Sequence, residues 1–266
     1  MKEYPATTIE CGTQTPQAEL AHDVDLRHYA YQSQRLESRD ISTLEASFRQ
    51  QARWYSHFLR NLMPQDLDAP ILDAPCGHGN FLYFLRAMKF RNVEGFDIDP
   101  GRVKLARRLG LPANLGDVTE VLRNRSGLAV ITMLDFLEHV DRSEVPGLLS
   151  SAFSALANNG ILIVRLPFTD CLLGSYDLGN DFTHKWAANS GVTKLLFEDA
   201  GFTSVVVRDE RPVLYKWSNY VRSAAFLMTK TMTNLYLQAL GLPALSIWSR
   251  SGFVIGRKPI STASAD

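Results

Sequence analysis

Two carboxylates and an imidazole crowd one short segment of the chain. In Met133-Leu134-Asp135-Phe136-Leu137-Glu138-His139-Val140, the residues Asp135, Glu138 and His139 stand at i, i+3 and i+4. If the segment turns helical, that spacing puts all three on one face. Such a set supports two kinds of chemistry. It can hold a divalent cation, with oxygen ligands suiting Mg²⁺ or Mn²⁺ and the imidazole shifting preference toward Mn²⁺, Co²⁺, Fe²⁺ or Zn²⁺. Without a metal, an imidazole titrating near neutrality can take a proton as general base. A second histidine, His184, follows in Gly179-Asn180-Asp181-Phe182-Thr183-His184-Lys185-Trp186. It joins Asp135, Glu138 and His139 in the metal reading, and shares the catalytic role with His139 in the other.

A different cluster points to a nucleotide. Ile71-Leu72-Asp73-Ala74-Pro75-Cys76-Gly77-His78-Gly79-Asn80-Phe81 reads as an apolar strand ending in an acid, then a tight turn, then an amphipathic helix through Leu82 and Leu85. Glycines there let the backbone approach a ligand, and the helix N-terminus offers free N–H groups. Asp97 ends the next strand, 18 residues beyond Gly79, where a carboxylate accepts both hydroxyl protons of a ribose. Asp117, beside Val118, is placed to reach an adenine amino group and also to cap a helix. His78 reads as a contact to that ligand; His22, His28 and His57 read as surface or tail residues.

The elements that must position these groups follow from periodicity. Apolar runs at Ile71-Leu72, Val93 to Ile98, Leu128 to Leu134, Gly160 to Leu166, Ser204 to Val207 and Gly252 to Ile255 alternate with helical patterns. A presumed third strand, Ala113 to Gly116, precedes Asp117. The fold class is α/β, a mostly parallel sheet covered on both faces. Ser42 and Glu45 have capping-box spacing ahead of Leu44, Phe48, Tyr55, Phe58, Leu59 and Leu62, which predicts a helix running to Pro64. We divide the chain into a tail and helical extension over 1–65, a main domain over 66–260 and a tail over 261–266. A helical insert over 212–248 precedes the last strand. Its Tyr220, Ala224, Leu227, Met228, Thr231 and Leu235 share one face, with Arg222 and Lys230 elsewhere. Three roles are open to it: capping a substrate pocket, packing on the sheet, or peripheral contact with a membrane surface.

Taken together, these motifs resemble those of the class I S-adenosylmethionine-dependent methyltransferases, whose first motif is an acid followed by Gly-x-Gly-x-Gly. Here Asp73-Ala74-Pro75-Cys76-Gly77-His78-Gly79 stands in that place, with Pro75 where the first glycine usually falls. The resemblance covers roughly residues 66 to 211 plus the final strand. It implies a Rossmann-like seven-stranded sheet in the order 3-2-1-4-5-7-6, with strand seven antiparallel. It also implies S-adenosyl-L-methionine as cofactor, held by Asp73, Ala74, Cys76, Gly77, Gly79, Phe81, Asp97, Ile98, Asp117, Val118 and Leu134. The set Asp135, Glu138, His139 and His184 looks like the metal set of two branches, the terminal-nucleotide 2′-O-methyltransferases of small RNAs and the ubiquinone-pathway O-methyltransferases. Those carry Glu where this chain has Asp135, and in metal-free members the Glu and His order the loop. Arg165-Leu166-Pro167-Phe168, Asp181 to His184 and Ala200-Gly201-Phe202 are similar to methyltransferases of bacterial polysaccharide and O-antigen synthesis. In that setting Arg165 holds an anionic group of the acceptor or forms a structural ion pair.

Composition narrows the partners. The 266 residues contain 28 basic and 28 acidic side chains, which leaves no global field to attract a polyphosphate. A small-molecule or glycan acceptor is therefore expected ahead of nucleic acid, with a sugar hydroxyl ahead of a phenol. An RNA-end methyltransferase, a nicotinamide-dependent oxidoreductase and an inactive methyltransferase fold serving as a binding subunit are the alternatives. Three cysteines, Cys11, Cys76 and Cys171, are too few for a disulfide framework, and the start of the chain lacks the apolar core of a signal peptide. A cytoplasmic location follows as an expectation. Charge-free stretches at Val145 to Val164 and Thr231 to Ser249 are interrupted by Asn158-Asn159-Gly160 and Gly241-Leu242-Pro243, so no membrane span is expected.

Overall fold

The computed structural model describes residues 40–260, except 172, 173, 216, 246 and the side chains of 175, 177 and 178. The expected tails, with His22, His28 and Cys11, lie outside the described residues.

Helix α1, Ile41–Leu59, opens the described chain and buries Leu44, Phe48, Ala52, Tyr55 and Leu59, one stripe at helical spacing. The expected capping box at Ser42 does not form. The Asp40 carboxylate accepts from Ser42 N at 3.1 Å and takes the cap itself, which places Ser42 inside the helix. A single 3₁₀ turn, Arg60–Leu62, ends the helix short of Pro64.

Strands and helices then alternate: β1 Ile71–Asp73, α2 Asn80–Ala87, β2 Val93–Asp97, α3 Pro100–Arg108, β3 Ala113–Leu115, α4 Val118–Arg123 and β4 Leu128–Leu134. They continue as α5 Val145–Ala155, β5 Leu156–Pro167, α6 Gly174–Asn180, α7 Ser190–Asp199, β6 Thr203–Asp209, α8 Trp217–Ala239 and β7 Ser251–Arg257. The seven strands form one sheet in the order β3-β2-β1-β4-β5-β7-β6. β7 runs antiparallel to both β5 and β6, and the remaining pairs are parallel. This is the topology that the resemblance to the class I methyltransferases implies.

Side-chain alternation along the strands divides the core into two layers. Ile71, Val130, Ile161, Ile163, Phe253 and Ile255 point toward α1 and α2, where they meet Tyr55, Leu59, Phe81 and Phe84. Leu72, Ile131, Met133, Leu162, Val164 and Val254 point to the opposite face, against Leu122, Leu148, Leu149 and Phe197. Both faces of the central strands are thus buried, as a parallel sheet requires. Among the described residues no helix is long and apolar enough to cross a membrane.

Phe253 joins the last strand to the N-terminal helix: it is fully buried and its ring lies 5.6 Å from Trp54 and 5.8 Å from Phe58. Phe253→Ala is expected to destabilise the protein by about 3–5 kcal/mol in urea unfolding. A loss below about 1 kcal/mol would show that α1 does not depend on this contact.

Candidate active site

The first site residues stand where β1 ends. Asp73 is the strand's last residue and is 1% exposed. One carboxylate oxygen accepts from the Thr132 hydroxyl at 2.6 Å, while the other, Oδ2, has no hydrogen-bond partner among the described residues. Burial pushes this carboxyl up to about 7. The Ala74–Pro75 peptide bond is cis, and the chain then turns through Gly77 at φ +53° and Gly79 at φ +88°. Gly79 caps α2, and a Cβ there would stand 2.6 Å from Leu111 Cδ1, so glycine is needed both for the backbone angle and for the close approach. Pro75 in place of the usual glycine leaves the turn tied to the next strand. Gly77 N donates to Asp97 Oδ2 at 2.8 Å, and Cys76 N donates to Phe96 O at 2.7 Å.

Asp97, also 1% exposed, accepts from Asp99 N through Oδ1 at 2.9 Å. Its carboxyl is raised by burial, against the Arg102 guanidinium 3.9 Å away. Asp117 caps α4 by accepting from Thr119 N and Glu120 N.

These groups line two adjoining cavities. The first, about 370 Å³, is lined by Asp73, Cys76, Gly77, Phe81, Asp97, Ile98 and Leu134 on one side and by Glu138, His139, Asp181 and His184 on the other. The second, about 520 Å³, is lined by Asp117 and Val118 and shares Pro75, Ile98, Phe136 and His139 with the first. Of the expected cofactor residues, Ala74 and Gly79 line neither cavity. Ala74 is wholly buried and donates its N–H to Thr132 O, and Gly79 serves the turn. On the side of the first cavity built by the glycine turn, Asp73 Oδ2, His78 Nε2 and Asn80 Oδ1 are buried and lack hydrogen-bond partners among the described residues. Buried polar groups are normally satisfied, so these three mark where a polar ligand belongs.

The segment after β4 departs from expectation. It does not turn helical from Asp135: that residue sits at φ +53°, and only Leu137–His139 form a 3₁₀ turn. Asp135, Glu138 and His139 therefore do not share one helical face. Asp135 is exposed, lines the first cavity and pairs with Arg165, which also binds Glu210 at 2.5 Å. The Arg165 guanidinium, 5.4 Å from the Trp54 ring, is thus engaged in a structural ion-pair network and offers no vacant anion site.

Glu138, His139 and His184 do converge, with donor atoms within 4.8 Å of one another. Two long-range bonds hold His184 there: Lys185 N donates to Glu138 O at 2.8 Å, and Trp186 Nε1 donates to Val140 O at 2.9 Å. The imidazoles of His139 and His184 stand 4.9 Å apart. His139 Nδ1 lies 2.9 Å from Thr183 Oγ1 and 3.2 Å from Thr183 O, and the Thr183 hydroxyl donates to Asp181 Oδ1 at 2.7 Å. Since a carbonyl only accepts, the proton belongs on Nδ1, which leaves the Nε2 lone pair for a ligand or a proton. Burial lowers the His139 pKa and favours this neutral form. Glu138 is 2% exposed, Oε2 has no hydrogen-bond partner among the described residues, and burial together with nearby Asp135 raises its carboxyl well above the ordinary range. A buried carboxyl group beside two imidazoles matches the donor set of a divalent transition metal and suits it better than Mg²⁺.

Sequence spacing did not reveal Tyr55, Thr183 or Arg102 as site residues. Tyr55 looks like one more apolar position of α1, yet it lines the cavity and stacks edge-on with Phe81 at 5.2 Å. Thr183 carries a weak signal, standing two residues from Asp181 and next to His184.

A sheet of this order, with carboxylates at the C-terminal ends of β1 and β2 and a glycine turn between them, defines the class of S-adenosylmethionine-dependent methyltransferases. Residues 46–207 match the model of a family described as a methyltransferase domain, and the chain belongs to that family. Solved structures share the fold. A methyltransferase of this class from Archaeoglobus fulgidus superposes with a TM-score of 0.59 at 20% identity, over 82% of this chain and 100% of that one. One from Thermotoga maritima gives 0.53 at 16%, over 82% and 96%. Phosphoethanolamine N-methyltransferase 2 of Haemonchus contortus, in complex with phosphomonomethylethanolamine and S-adenosylhomocysteine, gives 0.55 at 14% over 79% of this chain. This chain spans 53% of that enzyme's length. No curated protein matches the chain.

Asp73 Oδ2, buried and without a hydrogen-bond partner among the described residues, would meet the ammonium group of a bound cofactor only as the ionised carboxylate. Because burial holds Asp73 near 7, S-adenosylhomocysteine should bind more tightly as pH rises. Below about pH 7, affinity should fall up to roughly tenfold per pH unit, with one proton released per ligand bound. Calorimetry across pH checks this, and a profile that Asp73→Asn leaves unchanged would remove Asp73 from that role.

Proposed function

We propose that this methyltransferase acts on a hydroxyl group of a sugar or another small molecule, with His184 and His139 handling the acceptor's proton. The convergence of Glu138, His139 and His184 across the cavity from Asp73 and Asp97 carries this reading. Bound to the carboxylate side, S-adenosylmethionine supplies a methyl group on a positively charged sulfur. The protein's own part is to orient the acceptor oxygen in line and to receive its proton as the oxygen–carbon bond forms and the sulfur–carbon bond breaks.

The chain His139–Thr183–Asp181, in which each member donates to the next, fixes the tautomer and leaves the His139 Nε2 lone pair to receive the acceptor's proton. Asp181 remains ionised: hydrogen bonds from Thr183 N and Oγ1 hold its carboxyl below the usual range against partial burial. His184 faces the same cavity and shares that task. Glu138, His139 and His184 would also hold a divalent cation, Mn²⁺ ahead of Mg²⁺, and a cation there lowers the pKa of a coordinated hydroxyl. Asp135 is not among its ligands, since it is committed to Arg165.

The neutral chain favours a small acceptor over RNA. Cys76 and Cys171 form no disulfide among the described residues, which suits a reducing compartment and the cytoplasmic location we assign.

The test uses methyl-labelled S-adenosylmethionine with a panel of sugar, phenol and amine acceptors, read by NMR. An O-methyl product is expected, and methylation confined to amines would overturn the hydroxyl assignment. His184→Ala should lower turnover by about 10²–10⁴ with little change in S-adenosylhomocysteine affinity. Full turnover in that variant would remove His184 from proton transfer. Glu138→Gln should abolish the calorimetric Mn²⁺ isotherm, and an unchanged isotherm would exclude this metal site.

A further inference from the structure

Helix α8 is amphipathic, and its apolar side faces away from the protein. No residue of Trp217–Ala239 is buried. The half-covered positions are Asn219, Ser223, Phe226, Lys230, Thr233, Asn234 and Leu237, a mainly polar stripe turned toward the body. Asn219 Nδ2 donates to Val213 O and Leu245 N donates to Asn234 Oδ1, so the polar stripe is fastened to the flanking loops. The opposite arc is exposed and apolar: Trp217 is 80% exposed, Met228 62%, Met232 64% and Leu235 61%, with Tyr220 and Leu227 between them. All six residues expected to share one face of this helix, Tyr220, Ala224, Leu227, Met228, Thr231 and Leu235, are exposed. The helix therefore does not pack that face on the sheet, and none of its residues lines either active-site cavity.

An apolar arc running along 23 residues, about 35 Å of helix, is a docking surface rather than a chance scatter of apolar groups. Charge indicates what docks there. The whole chain is neutral, yet from Arg211 to Arg250 it contains five Lys or Arg and no Asp or Glu. Aromatic residues that favour a bilayer interface stand at both ends of the arc, Trp217 and Tyr220 at one and Tyr236 at the other. Arg222 is exposed on the same helix, where its stem can reach headgroups as the arc sinks into the acyl boundary.

We infer that α8 is an in-plane anchor that binds the surface of a bilayer containing anionic phospholipid. The inference is independent of the acceptor and of metal binding, and it is tested without cofactor. Full-length protein is mixed with phosphatidylcholine vesicles, with or without phosphatidylglycerol, and floated through a density gradient at low and high salt. Flotation with the phosphatidylglycerol vesicles, weakened by salt, is expected. The double variant Met228→Glu, Leu235→Glu should reduce partitioning by roughly a hundredfold. Both positions are exposed, and an unchanged thermal melt verifies the variant's fold. Arg222→Glu should weaken the preference for phosphatidylglycerol. No flotation of the wild-type protein, equal flotation with phosphatidylcholine alone, or undiminished binding by the Met228→Glu, Leu235→Glu variant would overturn the anchor. A dimer in sedimentation velocity that this variant dissociates, without vesicle binding, would assign the face to a second copy of the chain.

Discussion

Everything at this site depends on the reversal of strand order at β1. The chain leaves β1 to build β2 and β3 on one side, then returns to pair β4 on the other. Connections from β1 and β4 must therefore part on opposite faces, and a crevice opens at the carboxyl ends of the two strands. Asp73 and the loop after Leu134 face each other across that opening because of connectivity, before any side-chain preference acts. The Gly77–Asp97 hydrogen bond then ties the first loop to the end of β2. A carboxylate on β2 thus holds the shape of a turn that belongs to β1.

The crevice concentrates buried acid. Asp73, Asp97 and Glu138 are each nearly inaccessible, and burial raises the carboxyl of each. At Asp73 Oδ2 and Glu138 Oε2 this is unfavourable, because a desolvated carboxylate oxygen without a partner costs on the order of several kcal/mol or takes up a proton. The arrangement becomes favourable when a cationic ligand or hydroxyl donors arrive. The cost of burying these groups thus converts into affinity for such a ligand, and Asp73, His78, Asn80 and Glu138, each with a buried polar atom that lacks a hydrogen-bond partner among the described residues, all line the first cavity.

The elements that local sequence controls were readable in advance. Short apolar runs marked the strands, and an acid at the end of β2 marked Asp97, since a carboxylate has no reason to end a buried strand unless it meets a ligand or a backbone donor. Asp135 shows the limit of such reasoning. Its i, i+3, i+4 relation to Glu138 and His139 means something only if the segment is helical, and its left-handed backbone angle cancels that condition. Its actual partner, Arg165, is 30 residues away, and Arg165 meets Glu210 a further 45 residues on, distances that no local period encodes. The orientation of α8 was hidden for the same reason. Periodicity shows that a helix has two faces, whereas contacts made by other elements decide which face turns inward.

The loss of Asp135 from the cluster has a chemical consequence. Four protein ligands close a tetrahedral shell, as in structural metal sites, whereas three leave coordination positions open to water or substrate. With Asp135 paired to Arg165 in the network that includes Glu210, the donor atoms that lie within 4.8 Å of one another are those of Glu138, His139 and His184. The same network fixes the wall of the cavity where Trp54 and Tyr55 of α1 approach, so the helix that precedes the sheet helps set how many donors reach its centre. Glu138, His139 and His184 all line the first cavity, so the donors that these long-range contacts gather face the same space as Asp73 and Asp97.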